Sequence, residues 1–458
     1  MTALKPRLAG LIEALSSGLI ERLTPVRLAL LAALTGEHLL LIGPPGTAKS
    51  ELARRLHCAF SDAVYFERLL TRFSVPEELF GPLSIAALEQ DRYERQTEGY
   101  LPSASIAFID EVFKANSSIL NALLTLLNER EFDNGAQRVP TPLISVIGAS
   151  NEVPDDEIVA AFYDRFLLRY PIAPVSREAF NDLIALPDEK NDAVAAELRL
   201  SHDELKQIAQ RADAVTLPPE VLELLTALRD FVAQQNIYVS DRRWRKIVRL
   251  LKTAALTNGR DTVSIWDGWL LQFCAMQRPE QCALIADWYA ARLGVHQALN
   301  PERFGRVVQA FEAQLELEQN ANDVNYGSDG KMAALAELSD AKGGEGAVRM
   351  TAFMRKRRYP PSHIAARVAQ TQALVDEINT YLLKLDATLA ELNQAVSDHL
   401  WIAPEFAVTA SNSLRQTRDN VGGLRLRLVV MRDGFADLPQ LELTENMPDR
   451  VPEPIAVA

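Results

Sequence analysis

The sequence predicts an α/β domain built on a mainly parallel sheet, followed by an all-α region that takes up the rest of the chain. Three observations carry that expectation. Between residues 39 and about 172 short apolar runs alternate with helical patterns, as strands do when crossover helices separate them. From about 176 to 275 only helical periodicity remains. Positions 364, 368, 371, 375, 378, 382, 385, 389, 392, 396 and 399 then alternate spacings of four and three. Nine of those eleven are apolar, from Ile364 and Val368 to Leu392 and Val396, which argues for a coiled-coil or bundle seam ending at His399.

The elements can be justified in order. Residues 7–36 read as one or two amphipathic helices carrying Leu11, Ile12 and Leu15, then Val26, Leu28, Leu31 and Leu34. Strands are placed at 39–42, about 64–69, 106–109, 143–148 and 167–172, and Pro171 to Pro174 end the pattern. Pro218 and Pro219 open a helix through Val221, Leu224, Leu225 and Leu228, with proline tolerated in its first turn. Ser240 reads as the N-cap of the next, through Ile247, Leu250 and Leu251. Two long helices are expected beyond residue 276, with a Gly-, Asn- and Asp-rich excursion near 320–348 between them. The resulting divisions are 1–175, 176–275, 276–435 and a Pro-rich tail, 436–458.

Bulk properties narrow the class. At 458 residues the chain exceeds one core. No apolar run approaches the roughly 18 residues of a membrane span, and the N-terminus lacks a signal peptide's apolar stretch. Cys58, Cys274 and Cys282 have no metal-ligand spacing, and a reduced, cytoplasmic protein is expected. A net charge of −13 disfavours nucleic acid as a dedicated partner.

The chemistry concentrates in one stretch. Leu39 to Ile42 form an apolar strand, Gly43-Pro44-Pro45-Gly46-Thr47-Ala48 a turn, and Lys49-Ser50 lead into a helix carrying Leu52 and Leu56. Strand, glycine loop and helix is the context in which Gly-x-x-x-x-Gly/Ala-Lys-Ser binds phosphate, since backbone N–H groups converge there and the lysine adds a charge. Ala48 stands where glycine is usual, and a helical φ/ψ is expected there, where a methyl does no harm. Ile106-Ala107-Phe108-Ile109-Asp110-Glu111 delivers two carboxylates to the edge of the sheet where ligands bind. Asp110 is expected to hold Mg²⁺ with the Ser50 hydroxyl, and Glu111 to activate water against the phosphate of ATP or GTP. Asn151 after the next strand could orient that water or simply make a turn. Arg165 before the last strand could stabilise transferring phosphate, or pair with Asp164 or a helix end.

In this order the motifs resemble the AAA+ ATPases, specifically the MoxR family and its RavA group. The resemblance rests on Gly43 to Ser50 (alanine before the lysine is common there), Phe108 to Glu111, Asn151, Thr71 to Ser84, Tyr163-Asp164-Arg165 and Val239 to Trp244, and runs from about residue 7 to 275. It implies an AAA+ three-layer P-loop domain, an all-α lid and a long helical, coiled-coil-like C-terminal domain. It also implies that Asn151 is sensor 1, that Arg165 is an arginine finger acting on a neighbour, and that Arg242, or the adjacent Arg243, is sensor 2 at the γ-phosphate. A pore hairpin is implied around Glu98 to Pro102. The implied activity is ATP hydrolysis with Mg²⁺ in a ring, a hexamer, that remodels or matures a client complex beside a protein with a von Willebrand A domain. A nucleotide-switched scaffold and a nucleic-acid or chelatase-type motor are the alternatives. RavA-like proteins carry a β-rich module between long helices, for which 326–362 is too short. Arg355-Lys356-Arg357-Arg358 could bind an acidic partner or be solvated.

Overall fold

The computed structural model describes residues 4–153, 157–186, 194–293, 301–324, 354–396, 398–441 and 451–455. The chain forms two compact units, one of Met1–Ala290 with Gln394–Ala407, the other of Ala291–Asn393 with Val408–Ala458.

The first unit opens with helices α1 (Leu4–Ser16) and α2 (Leu23–Thr35). Strands β1 (Leu39–Ile42), β2 (Tyr65–Leu69) and β3 (Ile106–Asp110) follow, then a hairpin of β4 (Glu131–Asn134) and β5 (Gln137–Pro140), then β6 (Ser145–Ser150) and β7 (Leu168–Pro171). Five of these make a parallel sheet in the order β2-β3-β6-β1-β7. β1 and β6 are buried throughout and β3 nearly so, which is why they read as continuous apolar runs, while the edge strand β2 carries Glu67 and Arg68. Helices α3 (Lys49–His57), α4 (Pro76–Phe80), α5 (Ile85–Leu88), α6 (Ser117–Glu129) and α7 (Glu157–Tyr163) connect the strands.

The expected strands lie within two residues of the observed ones, but the expected hairpin does not. Residues 98–102 form no strand, only the start of a 3₁₀ turn at Leu101–Ser103, and the hairpin stands at Glu131–Pro140 instead. Its signal was Gly135-Ala136, a two-residue loop that opens on a glycine at φ +67. The signal was faint because every residue of β5 is exposed, which leaves no apolar alternation.

The all-α part of this unit contains α8 (Phe180–Ile184), α9 (His202–Asp213), α10 (Pro219–Gln234), α11 (Asp241–Thr257), α12 (Leu271–Ala275) and α13 (Glu280–Arg292). Ser240 caps α11 by accepting from the Arg243 N–H at 3.3 Å, as its position suggested. The segment 394–407 returns from far along the chain. Trp401 is fully buried and donates from Nε1 to Thr257 Oγ1 at 2.8 Å, while Leu400 N–H donates to Asn258 Oδ1 at 3.0 Å. His399 Nδ1 accepts from the Trp401 N–H at 3.2 Å, which leaves its proton on Nε2, 2.9 Å from Asp267 Oδ1. Asp267 is also held by Arg260 at 2.6 Å, so its burial is compensated and its carboxyl stays below the usual range. Lys5 pairs with Asp398 at 2.6 Å, tying the same segment to α1.

Among the described residues the second unit is built on α14 (Pro301–Asn320), α15 (Pro361–Val396) and α16 (Pro404–Ala436), three long helices where two were expected. Phe304, Val308 and Phe311 pack with Val375, Ile378, Val421, Leu428, Met431 and Phe435. The heptad seam is thus buried within the chain, and its last positions, Val396 and His399, belong to the first unit. A short ladder of β8 (Asn322–Val324) and β9 (Met354–Lys356) ends α14. The rest of the expected excursion, 325–348, lies outside the described residues. The expected tail is partly structural, since Leu438 is buried, Tyr359 bonds to both Pro439 and Leu441, and Arg367 donates to the Glu453 carbonyl at 2.9 Å. Among the described residues no helix is long and apolar enough to cross a membrane.

Trp401→Ala should cost about 3–5 kcal/mol, because it leaves a cavity and takes away the donor to the Thr257 hydroxyl oxygen. Urea unfolding of the full chain checks this, and a loss below about 1 kcal/mol would mean the segment contributes little.

Candidate nucleotide site

The loop between β1 and α3 is shaped by its glycines. A Cβ on Gly43 would lie 2.0 Å from the Ile172 carbonyl oxygen, and Gly46 sits at φ +78. Ala48 departs from expectation. Its φ of +63 and ψ of 26 are left-handed, not helical, so the methyl is carried at a strain of about 1–2 kcal/mol. The loop's shape is therefore the one glycine would give. Thr47 Oγ1 donates to Pro44 O at 3.0 Å, and the buried Arg22 donates to Thr47 O at 3.1 Å and Ala173 O at 2.8 Å, clamping the loop from behind.

Lys49 folds over its own loop. Its Nζ donates to Gly43 O at 2.7 Å and Pro44 O at 3.0 Å, and lies 3.4 Å from Asn151 Oδ1. Burial lowers its proton affinity, against the pull of Asp110 and Glu111. Asn151 Nδ2 in turn donates to Glu111 Oε1 at 2.6 Å, and Lys114 stands 3.3 Å from the other Glu111 oxygen. Lys49, Asp110, Glu111 and Asn151 thus meet at the C-terminal edge of the sheet. Glu111 holds φ +51, an uncommon conformation whose N–H donates to Asp110 Oδ1 at 3.0 Å.

Two cavities flank this cluster. One, of about 850 Å³, is lined by the phosphate loop from Pro44 to Ala48 and Ser50, by the apolar Leu19, Ile20, Val175 and Phe180, and by the charged Glu51, Arg54 and Arg55. The second, of about 620 Å³, is lined by Arg72, Glu111, Lys114, Asn116 and Asn151. A phosphate chain with an apolar base suits the first, and a water near the carboxylates suits the second. Mg²⁺ fits the donors present. Ser50 and Asp110 offer hard oxygens, and among the described residues no cluster of three or more His, Cys, Asp or Glu could hold a metal alone. That is the donor set of an ion shared with phosphates and water.

Arg165 and Arg242 are not brought to this edge. Arg242 is exposed and donates to Asn128 Oδ1 at 2.5 Å, beside a depression lined by Gly36, Glu37, Arg130, Lys246 and Arg249. Gly36 and Glu37 precede β1, whereas the phosphate loop follows it. The 13 residues of α6, about 20 Å at 1.5 Å each, separate Asn128 from the Glu111 side. Arg165, in the turn before β7, is half-buried with Nε unpartnered, and desolvation followed by the Arg242 charge lowers its pKa. Arg243 is a different kind of residue. It is buried and donates to the carbonyls of Cys274, Asp164, Phe166 and Leu167 at 2.5, 3.2, 2.9 and 2.7 Å, and to Asp164 Oδ1 at 3.2 Å. It joins the lid helix to the sheet and has no donor left for a ligand's phosphate. Arg22 and Lys114 escaped the sequence reading. Arg22 carries no motif, and Lys114 shows only as a cation three residues after Glu111.

Two family models match the chain. One, described as the MoxR domain in the MoxR-vWA-beta-propeller ternary systems, covers residues 6–210, and one described as an AAA lid domain covers 220–289. Two uncharacterized proteins of Methanocaldococcus jannaschii are similar. One is 42% identical over 269 residues, 58% of this chain and 69% of that protein. The other is 40% identical over 271 residues, 59% of this chain and 71% of that protein. Chaperone MoxR1 of Mycobacterium tuberculosis is 26% identical over 263 residues, 54% of this chain and 66% of that protein. A solved structure from Cytophaga hutchinsonii is 20% identical with a TM-score of 0.48, over 62% of this chain and 86% of that one.

Ala48→Gly should raise stability by about 1 kcal/mol by removing left-handed strain, and Ala48→Val should lower it. Thermal melts of the two variants decide this, and a drop with glycine would contradict the conformation. Arg243→Ala should cost about 3–5 kcal/mol through an abandoned Asp164 carboxylate and four carbonyls, against roughly 0.5 kcal/mol or less for the exposed Arg242→Ala.

Proposed function

Because the chain belongs to the MoxR family of AAA+ ATPases, we propose that it hydrolyses Mg²⁺-ATP in a ring of identical subunits, six by family resemblance, to remodel or mature a client protein complex. The observation that carries this is the chain of contacts from Lys49 through Asn151 to Glu111, at 3.4 and 2.6 Å, beside the phosphate-loop cavity.

In this reading the ammonium of Lys49 exchanges the carbonyls of Gly43 and Pro44 for phosphate oxygens. Departure of Lys49 frees Asn151, which holds water with Glu111 against the γ-phosphate. Glu111 takes the proton, and Asn151 keeps the carboxylate aimed. Ser50 and Asp110 would hold Mg²⁺, whose charge eases the build-up of negative charge on the phosphates. Arg165 and Arg242 share the edge away from their own loop, and each side chain bears on the other's charge. Both are therefore assigned to the nucleotide of a neighbouring subunit. Arg242 would play sensor 2 across the interface rather than within its own chain.

A protein with a von Willebrand A domain is the proposed partner, and the matching family model's description adds a β-propeller protein. The cytoplasm is the proposed compartment, in keeping with free thiols at Cys58, Cys274 and Cys282.

Hydrolysis per subunit should rise with protein concentration and saturate. Lys49→Ala should lose ATP binding, and unaltered binding would count against the site. Glu111→Gln should bind ATP yet turn over at least 100-fold more slowly. Arg165→Ala and Arg242→Ala should also bind ATP without hydrolysing it. Each should regain activity when mixed with Glu111→Gln, since the mixed interface pairs an intact carboxylate with intact arginines. Mixtures no faster than their components would remove the shared-site assignment.

A further inference from the structure

Between β3 and α6 the chain makes one turn of 3₁₀ helix, Val112–Lys114, held at both ends. Val112 is fully buried, and Phe113 packs edge-on to Phe162, at 6.2 Å between ring centres, and against Tyr163 at 5.7 Å. Beyond the turn, Asn116 caps α6 by accepting from the Ile119 N–H at 3.1 Å and donates to Ser74 O at 3.0 Å. Glu111 enters the turn at φ +51, and the Lys114 N–H donates to its carbonyl at 2.8 Å. In 3₁₀ geometry side chains three residues apart lie one above the other. The backbone therefore sets the Lys114 ammonium over the Glu111 carboxylate, 3.3 Å from Oε2.

That placement supplies what Asn151 alone does not. A glutamate side chain has several rotatable bonds, and a carboxylate held by one oxygen can still swing about that contact. Asn151 takes Oε1 at 2.6 Å and Lys114 faces Oε2, so the group is held from two sides. The pair is also unequal in exposure. The Glu111 side chain is 15% exposed and that of Lys114 55%, so the carboxylate lies within the site and the ammonium reaches it from solvent. An ion pair with one end this open adds little to stability. Its effect falls on where the carboxylate points.

We propose that Lys114 is a positioning residue for hydrolysis, the ammonium that keeps Glu111 aimed at the attacking water while Asn151 changes partners. This rests on the reading of Glu111 as the general base and adds the residue that holds it. When Lys49 turns to phosphate and Asn151 takes up the water, the contact on Oε2 is the one that stays. Lys114 lines the second cavity with Glu111 and Asn151, and not the cavity at the phosphate loop. Its removal therefore touches the aim of the base and leaves nucleotide binding alone.

The test uses full-length chains at protein concentrations where hydrolysis per subunit has saturated. Lys114→Met keeps the length of the side chain and removes its charge. It should lower kcat about tenfold and leave ATP affinity, the thermal melt and the size of the ATP-bound assembly unchanged. Lys114→Arg should recover most of the lost rate. In single turnovers with labelled ATP, Lys114→Met should add nothing to Glu111→Gln, because a residue that acts through the carboxylate has nothing left to act on. A kcat in Lys114→Met within twofold of the parent overturns the proposal. So does the same fractional loss on the Glu111→Gln background, a loss that tracks weaker ATP binding or assembly, or a Lys114→Arg chain as slow as Lys114→Met. Each of these leaves Glu111 standing as the base. A Glu111→Gln chain that turns over at the parental rate overturns the positioning role and the reading of Glu111 together.

Discussion

Parallel pairing of β1 with β6 and of β6 with β3 is the constraint from which the site follows. Ile42 lies opposite Ser150, and Ile109 opposite Gly148, so three strands end together. The next residues out are the phosphate loop, Asn151 and the Asp110-Glu111 pair. A slip of one residue in β6 would turn Asn151 to the other face and bury what should be exposed. Continuous apolar burial of these strands makes that slip costly. The functional groups need no placement of their own, because the register of the core places them.

The other edge obeys a different rule. Arg169 and Arg243 are buried there, and desolvation pushes Arg169 down to about 9, helped by the Arg243 charge. Burial of two guanidinium groups is offset by backbone carbonyls, four for Arg243 and, for Arg169, Met276 O at 2.6 Å and Tyr163 O at 3.1 Å. These bonds lock the lid helix to the start of β7. Arg165 and Arg242 lie on the rim of the same lock, close enough to feel each other's charge, with Asp164 the nearest counter-charge to Arg165. A rim with surplus positive charge on a rigid base is suited to meet an anion presented from outside.

How much of this was legible in the sequence depends on how local the cause is. Strand positions were, because burial on both faces leaves short apolar runs bounded by turn residues. The phosphate loop and Asp110-Glu111 were, because their chemistry needs fixed spacing. The conformation of Ala48 was not. Its φ is imposed by the loop that Arg22 and Ile172 hold from behind, and alanine was read by its own preference. The hairpin at β4–β5 hid behind a strand with no buried side. The seam at 364–399 was legible as a period, but its partners were not. Phe304 and Phe435 complete the bundle from both sides in sequence, and His399 leaves it for Asp267. That Arg243 is buried and Arg242 exposed was not legible either, because two adjacent arginines on one helix do not reveal burial.

Two residues with φ near +50 to +63, Ala48 and Glu111, stand at the mouths of the two cavities. Each is held by a bond to its surroundings, Ala48 O accepting from the Leu52 N–H at 3.1 Å and Glu111 N–H donating to Asp110. Strain of this kind persists only where the neighbourhood over-determines it, and here the sheet edge does so. The consequence is a site whose polar groups already have partners of the right kind. Lys49 rests on two carbonyl oxygens and Glu111 on an amide and an ammonium. A phosphate would offer Lys49 oxygens in place of oxygens, so the ammonium could change partners without first being returned to water. The free energy of nucleotide binding would then go into the exchange of partners and not into assembling the site, which the parallel sheet has assembled beforehand.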